Sequence, residues 1–307
     1  MVLALPLAIL LAGYPARAAD HPANDPLTCR AIWQSVGLPD PAADDGREIT
    51  TVCHIGYITG HNNANKTPDW VVERITAETA SQEFTRPDVS FKEETALPPG
   101  RQGAVNADYA DSGMDRGHQA ASADFSGDRE AMIDTFFYSN AVPQSGRGFN
   151  QQIWRELEDL VQHLARERGE VVVITGPVNL EEKGIRLPAE ADACGNAVEL
   201  TRPARTSICD ANDTDPSVPC GAGAGAVVPA ALYKIIYDPA LQRVNAYVMP
   251  NIDHRPGRKK VKALTYLSGF RVGVSTVEAL TGLRFFTAPG EMSGRSLRET
   301  CPATMLH

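Results

Sequence analysis

The chain has 307 residues, of which 43% are hydrophobic, so it can bury a sizeable core as one large domain or two small ones. With 38 Asp and Glu against 29 Lys and Arg, its net charge of −9 excludes a broadly basic surface that grips nucleic acid by phosphate neutralisation. A local basic cleft remains compatible with that balance.

The N-terminal segment is apolar from Val2 to Ala12, and Ala16-Arg17-Ala18 places small residues where a signal peptidase would cut. No cationic region precedes it. The expectation is a signal peptide over 1–18 and a secreted or periplasmic protein. A short anchor or an upstream start are the competing readings, although the apolar run is brief for a bilayer span. Nowhere else does the sequence offer a membrane-spanning stretch. Six cysteines, an even number in an apparently exported chain, point to disulfides. Sequence cannot choose among the fifteen pairings, and Cys29 with Cys53, plus a tie from the middle of the chain to Cys301, is a guess.

Residues 19–50 are rich in Pro, Asp and Ala and read as an N-terminal extension, with an amphipathic stretch near Arg30 to Val36. Val52 to Thr59 and Trp70 to Thr76 read as two strands around the polar turn His61 to Lys66. Next comes Met114-Asp115-Arg116-Gly117-His118-Gln119. If extended, it puts Arg116 and His118 on one face, a phosphate-binding fork beside a base that titrates near neutrality. Gly117 between them would let a ligand approach the backbone. An ordinary salt-bridged turn fits the tetrapeptide alone equally well. Asp128 to Ile133 reads as a short helix and Thr135 to Ser139 as a strand, with Asn140 and Gln144 on the loop that follows. Asn150 to Arg168 is the clearest helix: Ile153, Trp154, Leu157, Leu160, Val161 and Leu164 recur at three and four residues, and Gly169 ends it. Asn150, Trp154 and Glu158 form an i+4 stripe along it. Taken alone, Asn150 could be a helix cap and Glu158 a solvated charge.

Val171 to Gly176 is a short apolar strand. Residues 180–226 turn to Gly, Ala, Asp, Pro and Cys, which suggests a disulfide-stapled insert, and Gly221 to Gly225 lacks the spacing of a dinucleotide fingerprint. Two more strands follow, Val228 to Tyr237 and Val244 to Pro250, then a basic run from Arg255 to Lys262 that fits a solvated loop as well as a substrate contact. Arg86, Arg101, Arg116, Arg147 and Arg155 flank the organising motif. A His-Glu-x-x-His helix, a Gly-x-Ser-x-Gly elbow and a P-loop are all absent.

The ordered set Asp115-Arg116-Gly117-His118, Asn140-Ala141-Val142-Pro143-Gln144, Asn150 and Trp154-Arg155-Glu156-Leu157-Glu158 resembles the DNA/RNA non-specific endonucleases of the ββα-metal, or His-Me finger, type. The resemblance spans about Tyr57 to Phe286, with Asn106 to Tyr109 similar to the endonuclease G branch. It implies an α/β mixed (α+β) ββα-metal endonuclease fold over 51–290, a central antiparallel sheet flanked by helices, and a tail over 291–307. It further implies metal-assisted hydrolysis of DNA and RNA, with no membrane partner and a homodimer compatible. In that scheme His118 is the general base, Asn150 holds Mg²⁺ (Mn²⁺ able to substitute), and Glu158 acts through water. Arg116 and Arg86 offset phosphate charge, while Asp115, Asn140 and Gln144 support the site. The family arginine one turn beyond Glu158 has no match, since position 162 is Gln162. Alternatives are a phosphodiesterase of small nucleotides and a catalytically silent binding protein on the same fold.

Overall fold

A computed structural model describes residues 25–42, 45–99, 103–180, 194, 196, 200, 207–208, 225–258 and 261–288. The segment expected to be a signal peptide, most of the expected insert, Arg101 and the tail lie outside these residues.

Strands whose two faces are both covered read as continuous apolar runs, and Val171 to Ile174 is such a run. Its strand is the centre of the molecule. Among the described residues seven strands pair antiparallel: β1 (Ile49–Cys53), β2 (Tyr57–Asn62), β3 (Thr67–Thr76), β6 (Glu170–Val178), β7 (Ala231–Asp238), β8 (Arg243–Pro250) and β9 (Arg271–Val272). Their order across the sheet is β9-β8-β7-β6-β3-β2-β1. Two further strands, β4 (Asp115–His118) and β5 (Ala141–Gln144), form a separate antiparallel hairpin.

Alternation along the strands splits the core in two. Val172, Ile174, Tyr233, Ile235 and Val248 pack with Ile32, Val36 and Val277 on one face. On the other, Val171, Val173, Leu232, Ile236 and Met249 meet Ile153, Trp154, Leu157, Val161 and Leu164. These last belong to a wide-turned segment, Gly146–Trp154, which continues into α1 (Arg155–Arg168). Arg147 and Gly148 are not helical within that segment, with Gly148 at φ 80°, so regular winding starts just before Asn150. Gly169, at φ 88°, ends the helix.

Three local expectations are corrected. Val52 to Thr59 is two strands, because the chain turns between them: the His54 N–H bonds the Tyr57 carbonyl at 2.9 Å and Gly56 takes φ 84°. Thr135 to Ser139 is not a strand. Only Phe137 bridges, to Lys92, and a 3₁₀ turn follows at Tyr138–Asn140. The buried Asn140 amide shapes that turn by donating to the Thr135 and Ala120 carbonyls, both at 2.9 Å. Gln144 therefore ends a strand rather than lying on a loop.

The N-terminal region is part of the packed core, since Ile32 and Val36 contribute to it, and Cys29 is disulfide-bonded to Cys53 of β1. Cys194 is also disulfide-bonded. Cys209, Cys220 and Cys301 lie outside the described residues. No helix among the described residues is long and apolar enough to cross a membrane.

Candidate active site

The hairpin and the helix after it make a strand–strand–helix unit, and the cleft opens where they meet. That cleft, about 940 Å³, is lined by Arg86, Asp115, Arg116, His118, Asn150 and Glu158 among others. Asn140 and Gln144 do not line it.

His118 is 8% exposed and sits at the end of β4. Its ring centre lies 4.7 Å from that of Phe91 and 4.8 Å from that of Phe136, the latter edge-on. Burial, and then the positive charge of Arg86, lower its pKa to about 3, so the imidazole is neutral at physiological pH. Among the described residues its Nε2 has no hydrogen-bond partner.

Arg116 is fixed by three contacts: Nη2 donates to Asn106 Oδ1 at 2.7 Å, Nε to the Tyr138 hydroxyl at 3.2 Å, and the guanidinium lies 5.3 Å from the Tyr109 ring centre. Arg86 comes from the 78–99 loop, is exposed, and lies 5.1 Å from the Phe136 ring centre. The two guanidinium groups share the cleft with His118.

Gly117 has a different reason from the one expected. A Cβ there would lie 2.0 Å from Cδ of Gln144, so the absent side chain makes room for Gln144 and not for a ligand. Gln144 is wholly buried and packs the hairpin. Asn140 accepts from the Ala120 N–H at 2.8 Å and its carbonyl accepts from the Gln119 N–H at 2.9 Å. It braces the chain directly after His118.

The divalent metal that the resemblance implies needs hard oxygen donors. Asn150 donates its amide to Asp115 Oδ2 at 2.8 Å, which leaves its carbonyl oxygen as the side-chain atom available to a cation. Gln151 donates to the same Asp115 oxygen at 2.9 Å. Glu158, half-buried two turns along, has its pKa raised to about 8: burial dominates, Lys234 opposes it, and Asp124 and Asp159 add to it. Among the described residues no group of three or more His, Cys, Asp or Glu side chains is placed to cage a metal. These donors therefore fit an ion that keeps most of its water, which is the habit of Mg²⁺.

Several neighbours carry site roles that the sequence did not assign to them. Phe91 walls His118, and Asn106 anchors both Arg116 and, at 3.3 Å, the Tyr138 hydroxyl. Below the cleft, Glu73, Asp124 and Lys234 are buried among apolar residues. A lone lysine inside the apolar run Ala231 to Tyr237, and Glu73 inside the strand run Val71 to Ile75, were the available signals.

The family described as DNA/RNA non-specific endonuclease matches residues 44–291. A mitochondrial nuclease of Saccharomyces cerevisiae is 32% identical over 257 residues, covering 80% of this chain and 67% of its own. A nuclease of Syncephalastrum racemosum is 30% identical, covering 82% and 70% respectively. Human mitochondrial endonuclease G is 36% identical over 144 residues, 47% of this chain and 46% of its own. A chain from the crystal structure of the EndoG/EndoGI complex superposes with a TM-score of 0.62 at 28% identity, covering 85% of this chain and 92% of that one. The protein belongs to the DNA/RNA non-specific endonuclease family, and it is a nuclease that hydrolyses phosphodiester bonds.

The same relatives overturn one expectation. The yeast and human proteins, and a Schizosaccharomyces pombe nuclease 36% identical over 151 residues, are named as mitochondrial, so the reading of a secreted or periplasmic protein is withdrawn.

Proposed function

We propose that the protein is a sugar-non-specific endonuclease cleaving DNA and RNA, with His118 as its general base. The observation that carries this reading is a neutral imidazole with an unpartnered Nε2, in one cleft with two guanidinium groups and the Asn150 amide. His118 takes a proton from water as the water oxygen attacks phosphorus. The bond to the 3′ oxygen breaks, that oxygen takes up a proton from solvent, and a 5′ phosphate remains. Arg116 and Arg86 neutralise charge on the phosphate oxygens. Asn150 would hold one divalent ion through its carbonyl oxygen, and Glu158 would orient the water around that ion. When bound, Mg²⁺, or Mn²⁺ in its place, supplies charge stabilisation at phosphorus and at the leaving oxygen.

Digestion of plasmid DNA and of RNA with Mg²⁺, with and without EDTA, tests the reading. Cleavage of both polymers that EDTA abolishes is expected. Full activity in EDTA, or activity on dinucleotides alone, overturns it. Asn150→Ala should lose most activity and regain part of it at higher Mg²⁺ or with Mn²⁺, whereas Glu158→Gln should lose less.

A further inference from the structure

Glu158 has a neighbour one turn before it on the helix, Trp154, and one turn after it, Gln162. Buried polar groups hold both. Lys234 of β7 is wholly buried and in register with Thr175 of β6, to whose hydroxyl its ammonium donates at 2.8 Å. The same ammonium lies 5.2 Å from the Trp154 ring centre. On the other side, Gln162 is 5% exposed and donates Nε2 to Oδ1 of the wholly buried Asp124 at 2.9 Å. Glu73 of β3 is wholly buried as well. It projects to the helix-covered face, because Val71, two residues before it, pairs with Thr175.

An ammonium sealed under a helix is costly unless opposite charge lies close. Three carboxyl groups feel this one: its field lowers the pKa values of Glu73, Asp124 and Glu158 against the larger effect of their burial. Of the three, Glu158 alone lines the cleft.

Resting on the role given to Glu158 above, we propose that Lys234 and Gln162 are positioning residues for it. The ammonium under Trp154 and the Gln162–Asp124 bond pin the helix one turn to either side, which fixes where the Glu158 carboxyl group enters the cleft. Neither residue touches substrate. The arrangement also accounts for Gln162 where the family resemblance calls for arginine. The sheet already supplies a cation from below, so a neutral donor to Asp124 suffices.

The test compares Lys234→Met, Asp124→Asn, their double variant, Gln162→Leu and Glu158→Gln, on plasmid DNA with Mg²⁺, each checked for folding by circular dichroism. Lys234→Met should lower kcat about tenfold or more with KM nearly unchanged, as expected when a group is misplaced but substrate binding is intact. Removing one charge of each sign should recover much of that loss in Lys234→Met/Asp124→Asn, since the carboxamide oxygen that replaces the Asp124 carboxylate still offers Gln162 an acceptor. A packing role predicts that the two losses add, and additive losses would overturn the proposal. Gln162→Leu should lower kcat in the same KM-independent way, and it decides the matter should Lys234→Met not fold. Wild-type kcat in folded Lys234→Met and in Gln162→Leu, with Glu158→Gln impaired, overturns the positioning role alone. Full activity in Glu158→Gln overturns the role of Glu158 itself.

Discussion

Asp115 accepts a hydrogen bond from the side-chain amide of Asn150 at 2.8 Å, tying the wide-turned segment that leads into the helix to the strand that carries His118. The bond decides which end of the Asn150 amide faces the cleft. With nitrogen turned to Asp115, the carbonyl oxygen is left for a cation. Asp115→Ala should let that amide rotate, weakening metal binding more than polymer binding. The expected result is a Mg²⁺ requirement raised by about tenfold, in the range of lost outer-shell partners at metal sites. Titrating Mg²⁺ against initial cleavage rate checks it, and an unchanged half-saturating Mg²⁺ concentration would count against it.

His118→Ala should reduce cleavage by about 10²-fold or more while DNA binding and fold persist, because the lost group transfers a proton and holds no polymer. A variant above about a tenth of the wild-type rate would exclude His118 as the base. The metal-free protein offers a second check. Burial and Arg86 hold the imidazole neutral down to about pH 3, so its NMR signals should not titrate near the ordinary pKa of about 6.5.

Much of this was legible because the ββα unit is local in sequence. Arg116 and His118 two apart on a strand, and Asn150 and Glu158 two helical turns apart, follow from backbone periodicity. What periodicity could not supply was the meaning of small residues and of side chains acting at a distance. Gly117 looked like a ligand approach and is the space occupied by Gln144. The strand at Ala141–Gln144 was hidden by Pro143, a residue that cannot donate to a ladder and is tolerated here in a hairpin of two strands. Glu73, Asp124 and Lys234 come from three distant segments, so only the sheet register and the helix above it bring them together.

The Cys29–Cys53 bond closes a loop with a sequence separation of 24 and joins the segment holding Ile32 and Val36 to β1. Restricting a loop of that size in the unfolded chain is worth about 3 kcal/mol. Cys29→Ser/Cys53→Ser should lower the unfolding free energy by about that amount in a denaturant titration, with kcat little changed because neither cysteine lines the cleft. A double variant as stable as the parent would show that core packing alone secures this segment.

His54 lies between two carboxylates, its Nε2 3.1 Å from Glu94 and its Nδ1 3.3 Å from Asp134, and it stacks on Tyr57 at 4.4 Å. Burial alone would lower its pKa, but the hydrogen bonds to Asp134 and Glu94 outweigh that and raise it. Burial would likewise raise Glu94, yet its bonds to His54 and Ser139 lower it. The signs then set a window. The His54 contribution to stability is fully present below about pH 6.5 and lost as pH rises through its raised folded pKa. The Glu94 contribution is present above its ordinary value of about 4.3 and lost as pH falls through its lowered folded pKa. The pair's contribution to thermal stability should therefore be greatest between those limits. Glu94→Gln should cost about 3 kcal/mol there, the scale of a broken buried pair, and should flatten the alkaline limb. Glu94 closes the loop that brings Arg86 and Phe91 to His118, so cleavage should fall along that same limb. A Tm profile unchanged by Glu94→Gln would show that the ion pair does not hold the loop in place.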